Sequence, residues 1–129
     1  MHDRFKFRVW DSSANAYVPR SQFILLSDGT LIQEIGGEEV IWELTEPEFC
    51  TGLKDKNGKL IYEGDIVRVI EQCMTNTLDR SYPMLFNEKT AKFGFKHPDG
   101  HFFYFTNDDD FSYEIIGNIH ENADLLGEK

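Results

Sequence analysis

The chain has 129 residues, 28% of them charged, and 23 acids against 13 bases give a formal net charge of −10. A chain of this length buries roughly two-thirds of its unfolded surface, so it folds as one domain, or two small lobes sharing a core, without a metal or disulfide. The 40% hydrophobic and 14% aromatic content argues against disorder, and runs such as Phe23-Ile24-Leu25-Leu26 fall far short of the ~20 residues that span a bilayer.

Phe5, Phe7 and Val9 alternate with Lys6 and Arg8, the period of a half-buried strand. Asp11-Ser12-Ser13-Ala14-Asn15 supplies a turn before Tyr17-Val18. Asp28-Gly29 separates Phe23–Leu26 from Leu31–Ile35, a strong hairpin signal, and Gly36-Gly37 breaks the chain before Val40-Ile41-Trp42. These pieces predict an antiparallel meander over about residues 1–50. Asn57-Gly58 predicts a second hairpin, followed by Leu60-Ile61-Tyr62 and by Glu63-Gly64-Asp65 leading into Ile66–Ile70. A Gly-Asp step into a β-branched strand is a common opening of small SH3-like barrels. Residues 71–90 read as a long mobile loop, because Thr75, Asn76 and Thr77 oppose the helical spacing of Val67, Ile70, Met74 and Leu78. His97-Pro98-Asp99-Gly100 predicts a third hairpin between two aromatic runs, whose Phe93, Phe95, Phe103, Tyr104 and Phe105 fit a core face. A strand at Tyr113–Ile116 precedes a short helix capped by Asn122 and stopped by Gly127. The expected fold is mostly β: a meander and then an SH3-like or barrel-like half with a short C-terminal helix, in one domain of two β lobes, about 1–50 and 51–129.

Charge restricts the partners. Residues 1–50 carry four bases and nine acids, 51–100 eight and seven, and 101–129 one and seven. Duplex binding gains affinity from bases laid on phosphates, so nucleic-acid binding is disfavoured outside the Lys54–Arg68 stretch. Met1-His2-Asp3-Arg4-Phe5 has no apolar signal segment, and Cys50 and Cys73 lack zinc-site spacing, so a cytoplasmic protein with reduced thiols is expected.

Catalytic patterns are missing from the sequence. No nucleophile elbow or phosphate-cradling glycine loop occurs. His97 and His101 could meet across their hairpin, but two ligands make no tight metal site. Asp55 begins like a calcium loop, yet Leu60 and Ile66 occupy the places that require Gly and Glu. Asp108-Asp109-Asp110 reads as a solvated turn. No enzyme activity, cofactor or metal is expected.

Three segments resemble the YopX family of small phage and prophage proteins: Phe7-Arg8-Val9-Trp10-Asp11, Thr51–Lys59 with Ile61–Val67, and Ile116-Gly117-Asn118-Ile119-His120-Glu121-Asn122. The resemblance spans nearly the whole chain. It implies a mostly β protein made in the bacterial cytoplasm during phage replication or lysogeny, of unestablished function and without assigned catalytic residues. Cys50 stands where members often place Tyr, and Leu60 where an acid is common. Turn architecture accounts for the middle segment; its recognition reading makes Lys54, Asp55, Asn57, Lys59, Tyr62 and Asp65 an exposed binding edge. The functional expectation is a non-catalytic accessory protein contacting itself or a host or phage protein. The alternatives are nucleic-acid binding or acidic mimicry of nucleic acid, and a small metal-dependent hydrolase using His97, His101 and Asp108–Asp110.

Overall fold

Apolar runs punctuated by turn residues become strands along the whole chain. The computed structural model describes residues 3–19, 23–42, 45–106 and 108–126. After a single 3₁₀ turn at Asp3–Phe5 come β1 (Phe7–Arg8), β2 (Trp10–Asp11), β3 (Ala16–Tyr17), β4 (Phe23–Leu25), β5 (Leu31–Ile35) and β6 (Glu38–Ile41). The second part comprises β7 (Glu48–Lys54), β8 (Leu60–Tyr62), β9 (Asp65–Gln72), β10 (Thr77–Pro83), β11 (Leu85–Asn87), β12 (Lys92–Lys96), β13 (Phe102–Phe103) and β14 (Phe111–Asn118). All described pairings are antiparallel: β2 with β3, and three-stranded sheets in the orders β4-β5-β6, β1-β7-β8, β10-β9-β14 and β11-β12-β13.

The hairpin signals land where expected, at Asp28-Gly29, Gly36-Gly37, Asn57-Gly58 and Asp99-Gly100. Gly58 adopts φ +83° in open space, the left-handed backbone that only glycine enters without strain. The boundary expected near residue 50 lies inside β7, which pairs with β1 on one side and β8 on the other.

Residues 71–90 are not a loop. β10 pairs with β9 from Thr77↔Gln72 to Pro83↔Ile66, and the turn closes through the Cys73 N–H on the Asn76 carbonyl at 2.8 Å. Polar residues are tolerated because β10 is an edge strand; on one face Arg68 forks onto Asp79 at 3.0 and 2.6 Å. The C-terminal helix is one 3₁₀ turn, Ala123–Leu126. The Asn122 side chain does not cap it but accepts the Asn118 N–H, while the Asn122 carbonyl accepts from Leu125. Gly127 lies outside the described residues.

The core sits where β8, β9, β10, β12 and β14 converge. Ile61, Val67, Val69, Tyr82, Met84, Phe95 and Tyr113 form one buried cluster, with Phe93, Phe103, Phe105, Phe111 and Ile115 packed against it. Tyr104 points elsewhere, under the Lys92 ammonium at 5.1 Å. Among the described residues no helix is long and apolar enough to cross a membrane.

Candidate functional site

Beside the aromatic core, the structure gathers a half-buried polar cluster from distant parts of the chain. Pairing of β1 with β7 sets Arg8 directly opposite Glu48. Arg8 Nε donates to Glu48 Oε1 at 2.8 Å, and its Nη2 meets Asp65 Oδ1 at 2.9 Å and the Glu63 carbonyl at 3.1 Å. The guanidinium carbon lies over the rings of Tyr17 at 4.3 Å and Tyr62 at 4.9 Å. Tyr17 donates its hydroxyl to Glu48 Oε1 at 2.8 Å, and His120 Nε2 meets Glu48 Oε2 at 2.5 Å. Trp10, the cross-strand partner of Tyr17, covers the His120 ring.

Local backbone geometry makes this convergence possible. Gly64 has φ +85°, and a Cβ there would lie 3.0 Å from Glu48 Oε2. The turn it permits aims Asp65 Oδ2 back at the Tyr62 N–H, 2.7 Å away. Asn118 holds the last turn, its Oδ1 accepting from the His120 and Glu121 amides. The Ile119 N–H then donates to the Gly64 carbonyl at 2.8 Å, which docks that turn on the cluster.

Electrostatics follow from burial and pairing. Burial alone would lower Arg8, but Asp65, Tyr17 and Glu48 outweigh it and hold the guanidinium above its ordinary value. Burial pushes the Asp65 carboxyl up, and the Tyr62 amide and Arg8 only partly offset this. Burial likewise pushes the Tyr17 hydroxyl up. Both carboxylate oxygens of Glu48 and of Asp65 already accept or pair. Chemically, the arrangement fixes four chain segments together and presents Arg8, Glu48 and His120 at the surface, with side chains 22%, 14% and 24% exposed.

The six positions expected as an exposed edge divide. Lys54, Asn57 and Lys59 are exposed and Tyr62 is half-buried beneath Arg8, but Asp55 and Asp65 are buried, at 6% and 3% exposure. Asp55 is buried because its carboxylate has backbone work: Oδ1 accepts from Asn57 and Lys59, and Oδ2 from Ile115. With the Lys56 N–H on the Tyr113 carbonyl, this turn caps the edge of β14. Three amides outweigh burial and hold the Asp55 carboxyl below its ordinary value.

His97 and His101 share a backbone bond, but their rings part. His97 packs on Phe103 with Nδ1 3.4 Å from the Tyr82 hydroxyl, while exposed His101 meets Asp99. Asp108–Asp110 form an exposed turn, with Asp108 Oδ1 accepting the Asp110 N–H. Among the described residues no three His, Cys, Asp or Glu are placed to hold a metal ion. Cys50 is buried and Cys73 exposed, and both are free thiols.

Sequence reading did not single out Arg8, Trp10, Tyr17, Glu48 or His120 as site residues. For Arg8, Trp10 and His120 the signal was shared membership, since they and Glu63-Gly64-Asp65 lie in the three segments that carried the resemblance; Tyr17 and Glu48 lie outside those segments and had no such signal.

The YopX protein family model matches residues 6–127. The crystal structure of protein EF1440 from Enterococcus faecalis matches with TM-score 0.62 and 24% identity, over 95% of this chain and 97% of that one. Protein yopX from Bacillus subtilis matches with TM-score 0.62 and 21% identity, over 94% and 97%. Both show the same fold. Among curated proteins none matches.

Proposed function

The chain belongs to the YopX family, and we propose that it is a non-catalytic phage or prophage accessory protein of the bacterial cytoplasm that acts through contacts with itself or with a host or phage protein. One observation carries this reading: apolar side chains face water across the β4-β5-β6 sheet. Register sets Ile24, Ile32 and Ile41 in one cross-strand row, with Ile24 and Ile41 42% and 56% exposed. Leu26, next to β4, is exposed too, whereas Ile35 and Val40 are exposed on the opposite face of the sheet. Clustered apolar surface of this kind marks interaction sites, whereas scattered single residues do not. The filled acceptors of the Arg8 cluster fit a scaffold that positions surfaces.

Sedimentation of the purified chain, with capture from phage-infected host lysate, tests the reading. Self-association or recovery of a defined protein, lost in an Ile24→Glu/Ile41→Glu variant that keeps its fold, is the expected result. A strict monomer that retrieves no protein would sink it.

A further inference from the structure

A groove of about 720 Å³ runs between the N-terminal meander and the β11-β12 hairpin. Phe5, Phe49, Phe86 and Phe93 line it, and Glu46 and Glu63 supply its acidic groups. Phe5 and Phe86 stand 60% and 41% exposed, and Phe86 meets Phe93 edge-on at 5.1 Å. Glu63 Oε1 accepts the Phe49 N–H at 3.0 Å; among the described residues neither Glu63 nor Glu46 has an ion-pair partner. Carboxylates beside aromatic faces recognise a cation twice, by charge and by the negative ring face. Arg4, which also lines the groove, already holds its guanidinium over the Phe5 ring at 4.9 Å. The chain's net charge of −10 favours approach of a basic partner over an acidic one.

We infer that this groove seats a short segment of a partner protein presenting a basic side chain next to an apolar or aromatic one. The inference rests on the proposed action through protein contacts and assigns that action a place and a chemistry. The apolar side chain enters between Phe49, Phe86 and Phe93, and the cation lies against Glu46 and Glu63.

The test is an NMR titration of the full chain with acetyl-Leu-Lys-Phe-amide, its Lys→Glu counterpart, and acetyl-Ser-Lys-Ser-amide. The first peptide is expected to move the resonances of Phe49, Phe86 and Phe93. The acidic and the polar peptides should each bind at least about tenfold more weakly, since a factor of ten corresponds to losing one modest contact. Glu46→Gln/Glu63→Gln should lose about tenfold in affinity for the first peptide, with its resonance dispersion confirming the fold. If the double variant unfolds, Glu46→Gln alone, at an exposed position, is expected to lose affinity in the same direction. Absent groove shifts at millimolar peptide, equal binding of the acidic peptide, or unchanged affinity in the folded variants would overturn the inference. Partner capture that survives in Glu46→Gln/Glu63→Gln would keep the proposed function and remove this groove from it.

Discussion

The His120 imidazole lies flat on the Trp10 indole, with ring centroids 4.4 Å apart and planes 6° from parallel. This contact and the Glu48 bond tie the end of the chain to its beginning. His120→Ala uncovers the indole and removes the donor on Glu48 Oε2. An aromatic pair contributes about 0.5–1.5 kcal/mol and a bond to a charged acceptor about 1.5–3. Partial exposure of both side chains reduces that sum to about 2 kcal/mol of lost stability. Urea denaturation measures it, and in a Trp42→Phe background the Trp10 emission should move to longer wavelength. Unchanged midpoint and emission would show that the stack does not hold in solution.

Arg8 joins Glu48 and Asp65, so removing it leaves two carboxylates facing one another. Breaking a buried pair costs about 3–5 kcal/mol. With the Arg8 side chain 22% exposed, Arg8→Met should cost about 2–4 kcal/mol. Adding Glu48→Gln and Asp65→Asn to Arg8→Met should restore part of that loss, because the uncompensated charges are then gone. A triple variant less stable than the single one would mean that the carboxylates matter through other partners.

Much of the fold was readable because turns announce themselves. Asp28-Gly29, Asn57-Gly58 and Asp99-Gly100 each require a conformation that few residues adopt, and each closes a hairpin. β10 was hidden for a physical reason: as an edge strand it carries Thr77, Asp79 and Arg80 on exposed positions, so apolar alternation fades. The polar cluster was hidden differently. Arg8 alternates with Phe7 and Val9 like a solvated strand residue, and nothing local reveals that Glu48 stands across from it. Asp65 was readable as a turn residue but not as a partner of Arg8, since that contact exists only in the tertiary fold.

Gly64 and Gly58 share a positive φ, +85° and +83°, but only Gly64 has a neighbour in the way, the Glu48 carboxylate at 3.0–3.1 Å. Left-handed backbone costs a residue with Cβ about 1–2 kcal/mol, so Gly58→Ala should lose about that much. Gly64→Ala should lose more, because it also pushes Glu48 away from Arg8, Tyr17 and His120. Paired denaturation midpoints isolate the difference. Equal losses would mean that Glu48 yields without weakening the cluster.

Asp55 and Glu63 pull the pH dependence of stability in opposite directions. Asp55 is held below its ordinary 3.8, so its contribution is complete above that value and is lost as pH falls through the folded one. Glu63 is raised above its ordinary 4.5, first by burial and then by Glu48 and Glu46, with the Phe49 amide opposing. The folded protein therefore holds that proton where the unfolded chain releases it, and stability declines as pH rises from 4.5 through the folded value. The stability of Glu63→Gln relative to wild type should thus rise with pH over that interval and then level off. The difference between wild type and Asp55→Asn should be constant at neutral pH, at about 2–3 kcal/mol for the disturbed amide bonds, and shrink below 3.8. Urea midpoints over a pH series give both curves. A Glu63→Gln variant that loses stability relative to wild type as pH rises would reverse the sign assigned to its burial.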